Sequence, residues 1–99
     1  MFSQRTPMDQ THVVDNRGAS RFELVVNGET AFLVYERPPR SLVLVHTEVP
    51  PALRGRHLGD ALVKAAIDAA HAERLHVVAV CPFVKSYLAK HPQAGAATP

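Results

Sequence analysis

This sequence predicts an α+β domain built on one mixed sheet of about five strands, in the order β-β-β-β-α-β-α. Three observations carry that reading. Asn27-Gly28 lies between two alternating apolar runs, RFELVV and ETAFLVYE, which is the strongest two-residue hairpin signal a sequence offers. A near-continuous apolar run, SLVLV, opens a strand that needs cover on the sheet. Between that run and a later one, LHVVAVC, lies a long stretch of helical period. Two strands joined through a helix run parallel, with a right-handed crossover expected.

In chain order, THVVD (11–15) is the first strand candidate, and Asn16-Arg17-Gly18 turns the chain. Residues 21–26 and 29–36 form the hairpin arms. RPPR (37–40) breaks the chain, and SLVLVHTEV (41–49) is the fourth strand. Pro50-Pro51 ends it, because neither residue can donate a ladder hydrogen bond. The helix is expected from Leu58 to Arg74. Leu58, Ala61, Leu62, Ala65 and Ala69 form one face, widened by Val63, Ile67 and Ala70. Asp60, Lys64, Asp68 and His71 form the opposite stripe, with Asp60–Lys64 and Lys64–Asp68 at favourable spacing. LHVVAVC (75–81) is the fifth strand, and its β-branched content suggests burial. FVKSYLAKH (83–91) is the second helix, with Pro82 at its entrance.

The chain of 99 residues holds one domain, expected over residues 11–92, with flexible ends at 1–10 and 93–99. Hydrophobic residues are 46% and charged residues 20%, a balance that suits a soluble globular fold. No apolar run approaches the roughly 20 residues of a membrane span. The first ten residues lack a secretory h-region, and the single cysteine cannot form an internal disulfide, so a cytoplasmic location is expected. A net charge of +2 is too small for a nucleic-acid binder, which needs a dense basic stripe.

The charge is local instead. Arg54, Arg56 and His57 crowd into RGRHLGD at the mouth of the first helix. Amides at a helix start lack intrahelical partners, and the macrodipole adds about half a positive charge there. A diphosphate accepts several such bonds at once, glycine allows close approach, and arginine adds a charged fork. Arg54, Gly55, Arg56, His57, Leu58, Gly59 and Asp60 are therefore candidates for a phosphate cradle. A basic turn with an ordinary helix cap accounts for the same residues. His46 and Glu48 share a face of a regular fourth strand and are candidate general bases. Cys81 lies at the start of the last helix, whose dipole lowers a thiol's pKa; a buried structural cysteine is the alternative.

The residues Arg54-Gly55-Arg56-His57-Leu58-Gly59 resemble the Q/R-x-x-G-x-G/A signature of the GNAT acetyltransferases. HTEVP (46–50), ALVKAAIDAA (61–70) and CPFVKSYLAKHP (81–92) extend the likeness to the minimal, YjdJ-like branch of that superfamily. The resemblance covers roughly Arg21 to Pro92. It implies a GNAT-like sheet whose strands 4 and 5 splay apart, with the acetyl-coenzyme A pyrophosphate held at the Arg54 loop and the pantetheine arm in the gap. It further implies backbone contacts at Thr47 and Val49, Cys81 across the gap, and Tyr87 as the acid that protonates the departing thiolate. The sequence departs from the signature at His57, where the family has glycine, and at Tyr87-Leu-Ala-Lys-His-Pro, which replaces Tyr-x-x-x-Gly-Phe.

The function expected is acetyl-CoA-dependent transfer of an acetyl group to an amine, the amine carried on a protein or peptide, by a monomer or weak dimer. Two other classes compete. One is a coenzyme A or acyl-CoA sensor with the same cradle and no turnover. The other is a small protein-interaction domain using an uncovered sheet face. The histidines at 12, 46, 57, 71, 76 and 91 are too scattered for a zinc site, and no metal is expected.

Overall fold

The computed structural model describes residues 12–91. The flexible ends expected at 1–10 and 93–99, and the ends of the motifs at Thr11 and Pro92, lie outside the described residues. The elements are β1 (Val14–Asn16), β2 (Arg21–Val26), β3 (Glu29–Glu36), β4 (Ser41–Glu48), α1 (Leu58–Ala72), β5 (His76–Ala79) and α2 (Pro82–Lys90). The sheet order is β1-β2-β3-β4-β5, antiparallel except for the parallel β4–β5 pair. This is the expected α+β architecture.

The hairpin closes as its sequence dictates. Asn27 and Gly28 both take positive φ, 52° and 79°, the left-handed pair that a tight two-residue turn requires. Asn tolerates that region better than most residues and Gly pays no steric penalty there. The turn fixes the register from Val26↔Glu29 to Arg21↔Val34.

One face of the sheet carries the core. Phe22, Leu24, Leu33, Tyr35, Leu42 and Leu44 are buried on it against Leu62, Val63, Ala66, Ile67 and Ala70 of α1 and Val84 of α2. The buried face of α1 thus runs through Gly59, Leu62, Val63, Ala66, Ile67 and Ala70. This is rotated from the expected stripe, in which Ala66 was absent and Ala61, Ala65 and Ala69 were central; those three are only partly buried. Lys64–Asp68 forms at 2.9 Å, whereas Asp60 turns to His57 instead of Lys64.

The expected burial of the fifth strand is not observed. β5 is an edge strand, and Val78 and Val80 are 41% and 51% exposed on the face that no described helix covers. Its β-branched residues fit a pleated surface without needing cover on both sides. β1 is also shorter than expected and shifted toward Asn16.

Ion pairs tie the far end of α1 to the sheet. Arg37 donates from both terminal guanidinium nitrogens to Glu73, each at 3.0 Å, and Arg17 reaches the same carboxylate. The Arg37 guanidinium holds the Glu73 carboxyl below its ordinary value, against a smaller opposing effect of burial. A carboxylate depressed in this way adds stability above its unfolded pKa, and that stability is lost as pH falls through the folded value. Glu73→Gln should therefore lower stability at pH 7 by about 1 kcal/mol in urea melts. Below about pH 4.5 the gap between the variant and the wild type should narrow.

Candidate functional site

The site begins where β4 and β5 part. Their parallel pairing runs from Ser41↔His76 to Leu44↔Ala79. The Leu44 carbonyl then accepts from both Val80 N–H and Cys81 N–H, each at 3.0 Å. On the other side of β4 the register against β3 shifts between Tyr35↔Leu44 and Val34↔His46, which leaves Val45 as an unopposed extra residue. A bulge of this kind bends its strand and increases the twist. Beyond it β4 continues along β3 alone, and the sheet splits.

A cleft of about 410 Å³ opens beside this split. Thr47, Glu48 and Val49 form its β4 side, and Arg54, Gly55, His57, Leu58, Gly59 and Asp60 form its α1 side. Leu53 and Phe83 complete it. Every residue proposed for the phosphate cradle lines the cleft except Arg56, which is exposed outside it. Leu53 and Phe83 were not read as site residues from the sequence. Leu53 is buried in the short 3-10 turn (Pro51–Leu53) that Pro50-Pro51 starts, and Phe83 follows Pro82 at the start of α2.

The loop presents its backbone to this space. Among the described residues, the N–H groups of Gly55, Arg56, His57, Leu58, Gly59 and Asp60 make no hydrogen bond to protein, and no side chain caps α1. Gly55 has φ of 86° and His57, the residue before the helix, has φ of 61°. A histidine held there costs roughly 1 kcal/mol relative to glycine. Its side chain is 85% exposed, with Nδ1 3.5 Å from Asp60 Oδ2, so the acidic group in the first turn has a basic neighbour. Arg54 donates from Nε to the Val49 carbonyl at 3.1 Å, which fastens the loop to the end of β4 and occupies that carbonyl. Its terminal nitrogens carry no protein partner among the described residues.

Thr47 pairs with Leu33, a core residue, so its side chain points to the helix side of the sheet. Thr47 Oγ1 lies 3.5 Å from Cys81 Sγ. Cys81 is 4% exposed and sits behind Thr47 rather than in the cleft wall. Burial, the largest influence, raises its pKa. The Thr47 hydroxyl, the Val84 and Phe83 amides, and the Thr47 amide together outweigh it, so the thiol titrates below its ordinary value. The amides of Phe83 and Val84 belong to the first turn of α2, and Cys81 stands at its cap position without a formed side-chain hydrogen bond to them, so they act on the sulfur as nearby dipoles.

His46 and Glu48 face the opposite side of the sheet. His46 Nε2 and Glu48 Oε1 are 2.9 Å apart, so the two candidate bases do share a face and are joined. Tyr87 is half-buried on α2 with its ring stacked on His91, centroids 4.3 Å apart, and it does not line the cleft. Among the described residues no group of three or more His, Cys, Asp or Glu side chains converges as a metal site. No described helix is long and apolar enough to cross a membrane.

Residues 21–97 match the family described as GCN5-related N-acetyl-transferase. Similar proteins include Protein NATD1 of Xenopus tropicalis, 35% identical over 89 residues, covering 87% of this chain and 82% of that one. Protein NATD1 of Gallus gallus is 34% identical over 95 residues, covering 93% and 84% of the two chains. Protein NATD1 of Homo sapiens is 36% identical over 83 residues, covering 81% and 74%.

The donors around Cys81 give a direct expectation. Iodoacetamide alkylation of Cys81 should follow a pH midpoint below the value near 8.5 of a free cysteine. Thr47→Val, which removes the hydroxyl and keeps the shape, should move that midpoint upward. An unchanged midpoint would mean that the hydroxyl has no effect on the thiol.

Proposed function

Since the chain belongs to the GCN5-related N-acetyltransferase family, we propose that it transfers an acetyl group from acetyl-CoA to an amine, as a minimal member akin to the YjdJ-like branch. The observation that supports this most is the run of amides from Gly55 to Asp60, unpartnered among the described residues, along a cleft that ends at Thr47, with Cys81 buried behind it. Amides in a row at a helix start fit a diphosphate, and the free nitrogens of Arg54 add charge. Leu53, Leu58 and Val49 suit the apolar parts of a pantetheine arm. The arm then reaches the split in the sheet with its thioester beside Thr47.

At that point the Thr47 amide has no strand partner, because β5 has already ended, and its protein neighbour is the Cys81 sulfur. In this reading it donates to the thioester carbonyl and stabilises the oxyanion, a contribution that reaches ~3 kcal/mol for one donor. Cys81 is the candidate acetyl carrier: against the opposing effect of burial, its thiol is favoured toward thiolate first by the Thr47 hydroxyl and then by the amides at the start of α2. The His46–Glu48 pair serves the acceptor: Glu48 polarises His46, and His46 removes the amine proton. Tyr87 keeps the role that the family likeness gives it, protonation of the departing thiolate.

Because the base pair lies on the uncovered face, the amine arrives from the side opposite the helices. Among the described residues Val25, Val78 and Val80 are exposed on that face, and the His46 and Glu48 side chains are themselves about half exposed. An amine presented on a protein or peptide fits such a surface better than a small metabolite needing enclosure.

Calorimetry with coenzyme A tests the cradle. Arg54→Ala should weaken binding about tenfold or more, as expected for loss of a charge-assisted donor. Thioester consumption with a panel of amines separates an enzyme from a sensor that binds without turnover. Intact mass spectrometry after exposure to acetyl-CoA should show one added acetyl group that is absent in Cys81→Ala. An unmodified mass during turnover would assign transfer directly from thioester to amine.

A further inference from the structure

Phe83 makes a contact that the phosphate-cradle reading of the loop does not account for. Its ring rests on the Cα of Gly59, in the first turn of α1. A Cβ built at Gly59 would stand 2.7 Å from Phe83 Cζ and 2.9 Å from Cε2, both inside any tolerated separation. Gly59 is otherwise ordinary helical backbone without positive φ. Glycine at this position therefore answers to the protein's own aromatic ring, before any ligand is considered.

The contact joins two helix ends that carry different donors. The first turn of α1 and the loop before it hold the unpartnered amides of residues 55–60. The first turn of α2 follows directly on Cys81, the residue at its cap position, and holds the amides of Phe83 and Val84 near the sulfur without a formed cap hydrogen bond. Phe83 belongs to the second end and rests on the first. Although its ring edges the cleft and is 41% exposed, a large apolar side chain is held there instead of a polar one.

We propose that Phe83, seated on Gly59, is a positioning residue that fixes the spacing between the amides at the start of α1 and the thiol at the start of α2. The inference rests on the acetyl-CoA reading for its purpose. A pantetheine arm has a set length, so a diphosphate bound at one end delivers the thioester to the other only if the two ends keep their separation. Misplacement by an ångström at a reacting centre costs on the order of a hundredfold in rate. The ring acts through the backbone of both helices and touches no reacting atom.

The test combines Gly59→Ala, Phe83→Leu, the double variant, Phe83→Ala and Phe83→Tyr. Two readouts are measured: the pH midpoint of Cys81 alkylation, which needs no coenzyme, and coenzyme A affinity by calorimetry. Phe83→Ala should fold, since Phe83 is 41% exposed and is not part of the buried core, and should move the alkylation midpoint upward as the α2 amides shift from the sulfur. Phe83→Tyr, which keeps the ring, should recover the midpoint. Gly59→Ala should displace the ring, shift the midpoint and weaken coenzyme A binding on the order of tenfold. Phe83→Leu in the same chain should restore much of both losses, because the shorter side chain leaves room for the new methyl group.

If Gly59→Ala stays equally defective for coenzyme A in the Phe83→Leu background, the methyl group obstructs the ligand and the spacer role is wrong. An alkylation midpoint unmoved by Phe83→Ala and by Gly59→Ala also overturns it. Failure of the wild type to bind coenzyme A would count against the acetyl-transfer reading alone, since the thiol readout still reports the coupling of the two helix ends.

Discussion

A single carbonyl decides where this sheet divides. Leu44 O accepts from two successive amides, those of Val80 and Cys81, and no further rung joins β4 to β5. One residue later the Val45 bulge turns β4 against its other neighbour. Together these release the end of β4 from the parallel pair while leaving it firmly held by β3. The cleft is the space so produced. Backbone groups that a continuous sheet would consume, the Thr47 amide among them, are left facing it. The Thr47 amide has the Cys81 sulfur beside it in place of a ladder carbonyl, and a sulfur is the weaker acceptor.

The two helices then bring their N-termini to the same opening. α1 follows β4 through the Pro50-Pro51 turn and the Arg54 loop, and α2 follows β5 at Cys81. Both chain segments leave the C-terminal ends of parallel strands, the position where open α/β sheets generally hold ligands. One end has amides with no partner among the described residues, and the other lies beside the Cys81 sulfur. His46 and Glu48 stand on the opposite face of β4, joined to each other at 2.9 Å.

Much of this was legible in the sequence because the determinants are local. Asn27-Gly28 specifies a turn by its own backbone preferences, and the helix between two apolar runs specifies the parallel pair. The period of two in HTE placed His46 and Glu48 together and Thr47 apart from them. The bulge was not legible, since Val45 carries no glycine or other mark of an extra residue. The uncovered face of β5 was misread because valine content reports pleat and not cover. The α1 face was misread for a related reason: alanines lie all around this helix, so its period names no single stripe. Phe83 on Gly59 joins residues far apart in the chain, and only their meeting in space shows why one must be glycine.

The account rests on the amides of Gly55 to Asp60 and Thr47 being one continuous ligand surface. Backbone amide NMR shifts of the full chain, followed during titration with coenzyme A, test that most directly. The account predicts saturable shifts concentrated in residues 55–60 and at Thr47, with the β1–β2 side of the sheet unmoved. Saturable shifts confined to the uncovered face, or no saturable change at all, would contradict it.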